Sequence, residues 1–180
     1  MSQKDRSKLL SLVLRHEPEK IGIELDDGGW TSVEGLVDAL ASHGQPITRA
    51  DLVEIVRTSD KQRFAISEDG ARIRANQGHS VEVDLGYEPA APPSMLFHGT
   101  VAKFVDSIRA EGLSRQARHH VHLSATRDTA VAVASRRGRP VVLEVRAKEM
   151  VADGHAFFVS ANGVWLTEAV PASYLVFPTE

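Results

Sequence analysis

The sequence predicts an α+β fold in two lobes: a first lobe that is mostly helical and a second lobe in which strands and helices alternate. The length of 180 residues suits one medium domain or two small ones. Three of the eight prolines fall within residues 89–93, which favours an extended connector over a helix or a central strand. We therefore place the first lobe at residues 1–88, a proline-rich linker at 89–93 and the second lobe at 94–180.

The first lobe shows three helical segments and then a change of period. Apolar residues at positions 9–14 form one dense face of the first helix. Thr31 or Ser32 can cap the second helix, and Thr48 can cap the third. Alternating residues around a turn then predict a β-hairpin over residues 64–74. Three helices followed by a hairpin is the order of a winged helix, a module that often handles nucleic acid.

The second lobe combines short β-forming runs with two helices. The helices are expected over residues 101–111 and 128–137, each ended by a glycine. Five strands are expected, at residues 95–98, 121–124, 140–145, 164–167 and 174–177. These elements predict a compact α+β lobe.

Composition excludes several kinds of protein. The chain has no cysteine, so disulfides, thiolate zinc sites and cysteine nucleophiles are excluded. No apolar run approaches the roughly 18 residues that a membrane helix requires, and the first residues lack the apolar core of a secretory signal. We expect a cytoplasmic monomer. The formal net charge of −3 carries no global signature for nucleic acid.

Two places in the first lobe hold candidate binding groups. Arg15 and His16 stand where the first helix ends, and Arg63 opens the hairpin. Cations at a helix C-terminus also stabilise the helix dipole, and an arginine at a strand end is often simply solvated. Neither feature is specific by itself.

The second lobe concentrates cations. Guanidinium groups recognise phosphate by planar, bidentate hydrogen bonds, so such a density suggests a phosphate-rich ligand. A solvated helix face is the alternative for part of the cluster. The cluster comprises Arg115, Arg118, Arg127, Arg136, Arg137 and Arg139, with His119, His120 and His122 beside it. A zinc site is disfavoured because no third ligand is identifiable beside His120 and His122, and we expect no metal.

The segment His98-Gly99-Thr100 follows a predicted strand and precedes a predicted helix. Glycine lets a ligand approach the backbone, and a helix N-terminus favours anionic groups. Ser124 and His122 stand on a neighbouring predicted strand. The chain has neither a Gly-x-Gly-x-x-Gly run nor a Walker loop, so Rossmann and P-loop interpretations are excluded.

Six dispersed motifs together resemble the NAD-dependent RNA 2′-phosphotransferase family, which includes the tRNA-splicing enzyme that removes an internal 2′-phosphate. They occur in order along almost the whole chain. The motifs are LLSLVLRHEP from Leu9, SDKQRF from Ser59, QGHS from Gln77, LFHGT from Leu96, RHHVHLS from Arg118 and NGVWLT from Asn162.

The resemblance implies a winged-helix RNA-binding lobe followed by an ADP-ribosyltransferase-like NAD-binding lobe. It also implies site residues. The family's Arg-His-Arg-Arg catalytic tetrad corresponds to Arg15, His16, Arg63 and Arg118. The residues expected to bind NAD are His98, Gly99, Thr100, His122, Ser124 and Arg127, with a plain structural role as the alternative for Thr100, Ser124 and Arg127.

The implied reaction has two steps. The RNA 2′-phosphate attacks C1″ of NAD and expels nicotinamide, which gives a 2′-phospho-ADP-ribosylated RNA. The ribose O2″ then attacks the phosphorus and releases 2′-OH RNA and ADP-ribose 1″,2″-cyclic phosphate.

At the third strand of the NAD lobe, Gly163 and Val164 stand where many protein ADP-ribosyltransferases have a glutamate. A phosphate dianion is already a competent nucleophile, so this absence is chemically reasonable.

Two alternatives use the same residues differently. One is an ADP-ribosyltransferase that acts on terminal nucleic-acid phosphates or protein and stops after the first step. The other is a winged-helix regulator that senses NAD without consuming it. Within the phosphotransferase interpretation, His16 either protonates the departing RNA 2′-oxygen or serves as a further phosphate donor.

Overall fold

The chain forms a mixed α+β structure in two units. The computed structural model describes residues 2–59 and 61–179. It divides into Met1–Gly86 and Tyr87–Glu180, each with a hydrophobic cluster of its own. The described residues contain six α-helices and several small antiparallel sheets, which confirms the predicted α+β class. None of the described helices is long and apolar enough to cross a membrane.

The first unit contains three helices and one small sheet. The helices are α1 (Gln3–Arg15), α2 (Val33–Ser42) and α3 (Arg49–Arg57), with a 3-10 turn at Pro18–Ile21. The strands are β1 (Thr31–Ser32), β2 (Phe64–Ile66) and β3 (Arg72–Ala75). They pair antiparallel in the order β1-β3-β2. The predicted helices and hairpin are confirmed, and β1 completes the sheet.

Side-chain caps define where the first-unit helices begin. The Ser32 hydroxyl accepts a hydrogen bond from the Gly35 amide at 3.1 Å, so Ser32 rather than Thr31 caps α2. Thr48 and Asp51 form a reciprocal capping box at α3, with Thr48 Oγ1 3.1 Å from the Asp51 amide. These bonds satisfy amides that have no partner within the helix. The core between the helices and the sheet is built from fully buried residues including Leu10, Leu14, Leu36, Leu40, Leu52 and Ile73.

The second unit has eight strands and three helices among its described residues. Its helices are α4 (Ala102–Glu111), α5 (Arg127–Ala134) and α6 (Ala147–Ala152). Its strands are β4 (Leu96–Val101), β5 (Leu113–Ser114), β6 (Val121–Leu123), β7 (Pro140–Val145), β8 (Phe158–Val159), β9 (Trp165–Thr167), β10 (Ala169–Val170) and β11 (Leu175–Val176). All five predicted strands and both predicted helices are present. The sequence did not predict the short elements β5, β8, β10 and α6.

Three antiparallel sheets organise the second unit, in the orders β11-β7-β4, β6-β9-β8 and β10-β5. The backbones of Phe97 and Ser124 exchange two hydrogen bonds of 2.9 and 2.8 Å, which joins β4 to the end of β6. The proline-rich segment also belongs to this unit, because the Ala90 amide donates to the Phe157 carbonyl at 2.8 Å. This bond lays the segment beside β8.

The cap of α3 gives a test of the first unit. We expect Thr48→Ala to lower the free energy of unfolding by about 1 kcal/mol, because the Asp51 amide loses its acceptor. Denaturant titration followed by circular dichroism measures the change. Ser42→Ala is the matched control, since Ser42 is an exposed serine at the last position of α2. Equal losses in the two variants would contradict the capping role.

Candidate active site

The first unit places Arg15 and His16 where α1 stops. The helix ends here because Pro18 follows, and Glu17 takes non-helical angles of φ −135° and ψ 58°. His16 is the C-terminal cap residue, and its amide donates to the Leu12 carbonyl at 2.9 Å. The Arg15 guanidinium lies 5.8 Å from the centre of the Phe64 ring.

Arg63 lies at the entry to β2, directly before Phe64. Because the Phe64 ring contacts the Arg15 guanidinium, the structure brings Arg15, His16 and Arg63 to one region of the first unit. The residue before Arg63, Gln62, has a left-handed φ of +41°. Such a conformation is rare outside glycine, and a hydrogen bond from the Asn76 side chain to the Gln62 carbonyl holds it.

The second unit contains a cleft of about 480 Å³, within the size range of small-molecule sites. Four of the predicted site residues line it, His98, Thr100, Arg118 and His122, and so do Arg115 and His120 of the predicted cation cluster. Side chains alternate between the two faces of a strand. His98 and Thr100 therefore share the face of β4 that lines the cleft, while Gly99 lies on the other face. The sequence had predicted that the strand stops at His98. It continues to Val101, so Thr100 lies within β4 and not at a helix N-terminus.

The hydrogen bond of His98 defines its tautomer. Its Nδ1 lies 3.3 Å from the His122 carbonyl oxygen, which can only accept, so Nδ1 carries the proton. Burial lowers the pKa of His98, and the positive charge of Arg137 acts in the same direction against the opposing effect of this hydrogen bond. The ring is therefore neutral at pH 7 with an acceptor lone pair on Nε2.

The second imidazole of the cleft has the opposite tautomer. Arg118 Nη1 lies 3.2 Å from His122 Nδ1, and a guanidinium has no acceptor, so Nδ1 of His122 must accept. The proton of His122 is then on Nε2. Burial lowers the pKa of Arg118, with Arg137 adding to the effect, yet a guanidinium stays charged at neutral pH. His98 thus offers an imidazole acceptor to the cleft, and His122 offers an imidazole donor.

Three arginines of the cleft form no ion pair within the described residues. Across residues 2–59 and 61–179, Arg115, Arg118 and Arg137 lack a carboxylate partner, whereas Arg127 pairs with Glu144 at 2.6 Å. Arg137 lies close enough to Arg118 and His98 to lower the pKa of both groups. Unneutralised guanidiniums in a concave site are suited to a phosphate-bearing ligand.

Three residues predicted to bind the cofactor do not line this cleft. Gly99 faces α5, where an added Cβ would lie 2.0 Å from the Ala130 carbonyl oxygen. Its glycine is therefore needed for helix-to-strand packing, and the sequence-based reason, close approach of a ligand, is not the one that the structure supports. Ser124 bonds through its backbone to Phe97, and Arg127 is held by Glu144.

The sequence interpretation had left Arg137 among possible solvated helix residues. It lies in the turn between α5 and β7, and the pairing of β7 with β4 carries this turn to the cleft. That pairing is non-local, so no spacing within the sequence indicated it. Among the described residues, no group of three or more His, Cys, Asp or Glu side chains is placed to hold a metal ion.

The donors, acceptors and positive charge of the cleft in the second unit therefore suit a ligand that combines hydroxyl groups with phosphate. Comparison with known proteins identifies the particular family. The model of the "RNA 2′-phosphotransferase, Tpt1 / KptA family" matches residues 1–169. The chain belongs to this family. It is an RNA 2′-phosphotransferase, an enzyme that uses NAD to remove a 2′-phosphate from RNA, and the resemblance inferred from the six motifs is confirmed.

Relatives of similar length support the assignment. A probable RNA 2′-phosphotransferase from Streptomyces coelicolor is 58% identical over 172 residues, which cover 96% of this chain and 93% of the relative. Proteins of the same description from Agrobacterium fabrum and Acaryochloris marina are 56% and 51% identical, over 94% of this chain in each case and 91% and 94% of the relative.

The packing at Gly99 can be separated from ligand contact. We expect Gly99→Ala to destabilise the second unit by about 1–3 kcal/mol, because the new methyl group overlaps the Ala130 carbonyl. Thermal unfolding without NAD measures this loss. Gly35→Ala is the control, because its Cβ meets nothing closer than 3.4 Å in α2 and alanine favours a helix. Unchanged stability with lost NAD binding would instead make Gly99 a ligand contact.

Proposed function

We propose that the enzyme removes an internal 2′-phosphate of the tRNA splice-junction type in two steps and acts as a monomer. NAD supplies an electrophilic ribose carbon from which nicotinamide departs. The observation that carries the proposal is the cleft of the second unit, where His98 and His122 have opposite tautomers and three arginines form no ion pair within the described residues. NAD combines ribose hydroxyls with a diphosphate, which matches this donor and acceptor set.

The two units take different ligands in this proposal. The order α1-β1-α2-α3-β2-β3 supports a winged-helix RNA-binding lobe over residues 1–88. Residues 94–180 form the ADP-ribosyltransferase-like NAD lobe, with residues 89–93 as the connector. The first unit is net acidic, with 11 Lys and Arg against 15 Asp and Glu in residues 1–87. It is therefore suited to holding one modified phosphate rather than a long RNA duplex.

In the cleft, each polar group has a task that follows from its hydrogen bonding. Nε2 of His98 accepts from a ribose hydroxyl, and Nε2–H of His122 donates to a ligand oxygen. Arg137 neutralises the diphosphate, and Thr100 adds a hydroxyl to the same wall. Gly99 contributes by letting β4 lie against α5. Contacts from Ser124 and Arg127 to the adenosine diphosphate part stay predictions.

The tetrad residues handle the phosphate that is transferred. Arg15 and Arg63 bind it and keep it dianionic, so it needs no general base to attack C1″ as the bond to nicotinamide breaks. In the second step the bond from phosphorus to the ribose O2″ forms while the bond to the RNA 2′-oxygen breaks. Charge builds on the phosphoryl oxygens in that step, and Arg15, Arg63 and Arg118 stabilise it. His16 protonates the departing 2′-oxygen.

The decisive experiment uses a short RNA with a single internal 2′-phosphate, incubated with and without NAD. RNA and nucleotide products are followed together. The proposal requires NAD-dependent conversion to 2′-OH RNA with formation of a cyclic-phosphate ADP-ribose. An ADP-ribosylated RNA that persists would instead indicate a transferase that stops after one step. Absence of NAD consumption would contradict catalysis of either kind.

The same assay tests the roles of the first-unit residues. We expect His16→Ala and Arg63→Ala to slow the second step more than the first, so that ADP-ribosylated RNA accumulates while nicotinamide is still released. Arg57→Ala is the control, because the ion pair that Arg57 forms among the described residues is with the neighbouring exposed Glu54 on α3. A stall of both variants before nicotinamide release would show that these roles are assigned to the wrong step.

Arg137 provides a test in the second unit. We expect Arg137→Gln to raise the KM for NAD about tenfold or more with a smaller change in kcat, because a charge-assisted hydrogen bond to the bound diphosphate is lost. Arg139→Gln is a close control, since Arg139 follows in the same turn but does not line the cleft. Steady-state kinetics at varied NAD separate the two parameters. If Arg137→Gln and the unmodified enzyme have the same KM for NAD, Arg137 does not contact NAD.

A further inference from the structure

One motif of the first unit has no role in the steps above: the segment from Asn76 to Ser80 that follows β3. It lies beside both places where the first-unit tetrad residues stand. At its beginning the Asn76 amide donates to the Arg63 carbonyl at 2.9 Å. At its end the Ser80 amide donates to the Arg15 carbonyl, also at 2.9 Å. The segment therefore connects the entry of β2 to the C-terminal end of α1.

The Arg63 end of the segment is held by a buried amide side chain. Asn76 is 6% exposed, and its Nδ2 donates to the Gln62 carbonyl at 2.5 Å. Gln62 is the residue with φ of +41°, a strained conformation that persists only where the surroundings enforce it. The hydrogen bond of Asn76 supplies that enforcement, so Arg63 starts β2 from a defined backbone position.

At the other end, Ser80 forms two hydrogen bonds to the end of α1, one to the Arg15 carbonyl and one to the His16 ring. Its backbone amide bonds the carbonyl of Arg15, the residue before His16, and satisfies a helix-end acceptor. Its hydroxyl lies 2.9 Å from Nδ1 of His16 itself. The two residues are 64 positions apart in the chain. The backbone bond places the end of the helix, and the hydroxyl bond orients the imidazole ring.

A hydroxyl is a suitable partner for an imidazole that changes its protonation state. When the charged ring gives its Nε2 proton to substrate, the remaining proton stays on Nδ1, so the hydroxyl oxygen accepts from Nδ1–H before and after the transfer. Because this bond is made to Nδ1, Nε2 is the nitrogen assigned to act on substrate. Such orientation by a second group is the usual way to fix a working imidazole.

We propose that Ser80 is a positioning residue for His16, whose hydroxyl orients the imidazole so that Nε2 acts on the RNA phosphate group. This inference rests on the proposed role of His16 in the transfer reaction. It gives the Gln-Gly-His-Ser motif a function: the motif carries the side chain that aims His16, and Asn76 before it holds the neighbouring Arg63 strand.

The test compares three variants of the full chain. Ser80→Ala removes the hydroxyl but retains the backbone amide, so the end of α1 keeps its hydrogen bond. Ser80→Thr retains the hydroxyl, and the exposed position has room for the methyl group. Ser42→Ala, an exposed serine elsewhere in the same unit, is the matched control. Circular dichroism and thermal unfolding show that each variant is folded.

Single-turnover reactions with the 2′-phosphorylated RNA and NAD give the first readout. We expect Ser80→Ala to slow the step that His16→Ala slows, by about three- to tenfold, as for loss of one hydrogen bond. The KM for NAD should stay within twofold of the unmodified enzyme. Ser80→Thr should restore the rate to within about twofold, and Ser42→Ala should not change it. A rate for Ser80→Ala equal to that of Ser42→Ala would overturn the proposal.

Nitrogen-15 NMR of the histidine rings gives a second readout that does not depend on turnover. The signals of His16 are identified by their loss in His16→Asn. We expect Ser80→Ala to shift the Nδ1 signal and Ser80→Thr to restore it, and an unchanged signal in Ser80→Ala would overturn the contact. If the unmodified enzyme fails to convert the RNA, the proposed function is wrong, while the NMR result still decides whether Ser80 holds the ring.

Discussion

The antiparallel pairing of β4 with β7 is the constraint on which the second unit depends. It runs over six residue pairs, from Leu96 with Val145 to Val101 with Pro140. The period of the strand turns His98 and Thr100 to the cleft and Gly99 to α5, where only a hydrogen atom fits against the Ala130 carbonyl. Because α5 can approach so closely, the turn after it also reaches the cleft. The cleft and the core of the unit thus depend on the same contact.

The charges and tautomers of the cleft follow from burial and from which side chains form hydrogen bonds or ion pairs. Burial keeps His98 neutral, and a backbone carbonyl selects which of its nitrogens carries the proton. Arg118 imposes the other tautomer on His122. Surface arginines such as Arg127 are neutralised by carboxylates, whereas the charge of Arg118 and Arg137 is not, within the residues that the structure describes. A negatively charged ligand supplies the missing charge, which agrees with an enzyme that consumes NAD and handles phosphorylated RNA.

The first unit positions its candidate residues by hydrogen bonds at the ends of its helices and strands. Its candidate residues stand at element ends: Arg15 and His16 where α1 stops and Arg63 where β2 starts. Residues at the end of a helix or strand have fewer hydrogen bonds within that element, so a group from elsewhere in the unit must hold each of them. Ser80 and Asn76 supply these partners through side-chain and backbone hydrogen bonds. Preorganisation of this kind matters for phosphoryl transfer, because a group that stabilises developing charge must already be in place.

The sequence alone determined the α+β class, the main helices and strands, the cap at Thr48 and the family, because these depend on local periodicity, side-chain hydrogen bonding over three residues and motifs in a fixed order. It left Thr31 and Ser32 open as the cap of α2, and the structure selected Ser32. Only the tertiary structure decided that Arg137 lines the cleft, that Gly99 is required by packing, which tautomer each imidazole takes and that Ser80 holds His16. Apart from the tautomer of His122, which Arg118 sets from four positions away, these features join residues far apart in the chain. Strand pairing and side-chain contacts across 24 to 64 positions leave no local pattern in the sequence. These groups therefore meet only in the folded chain, where their contacts decide their chemistry.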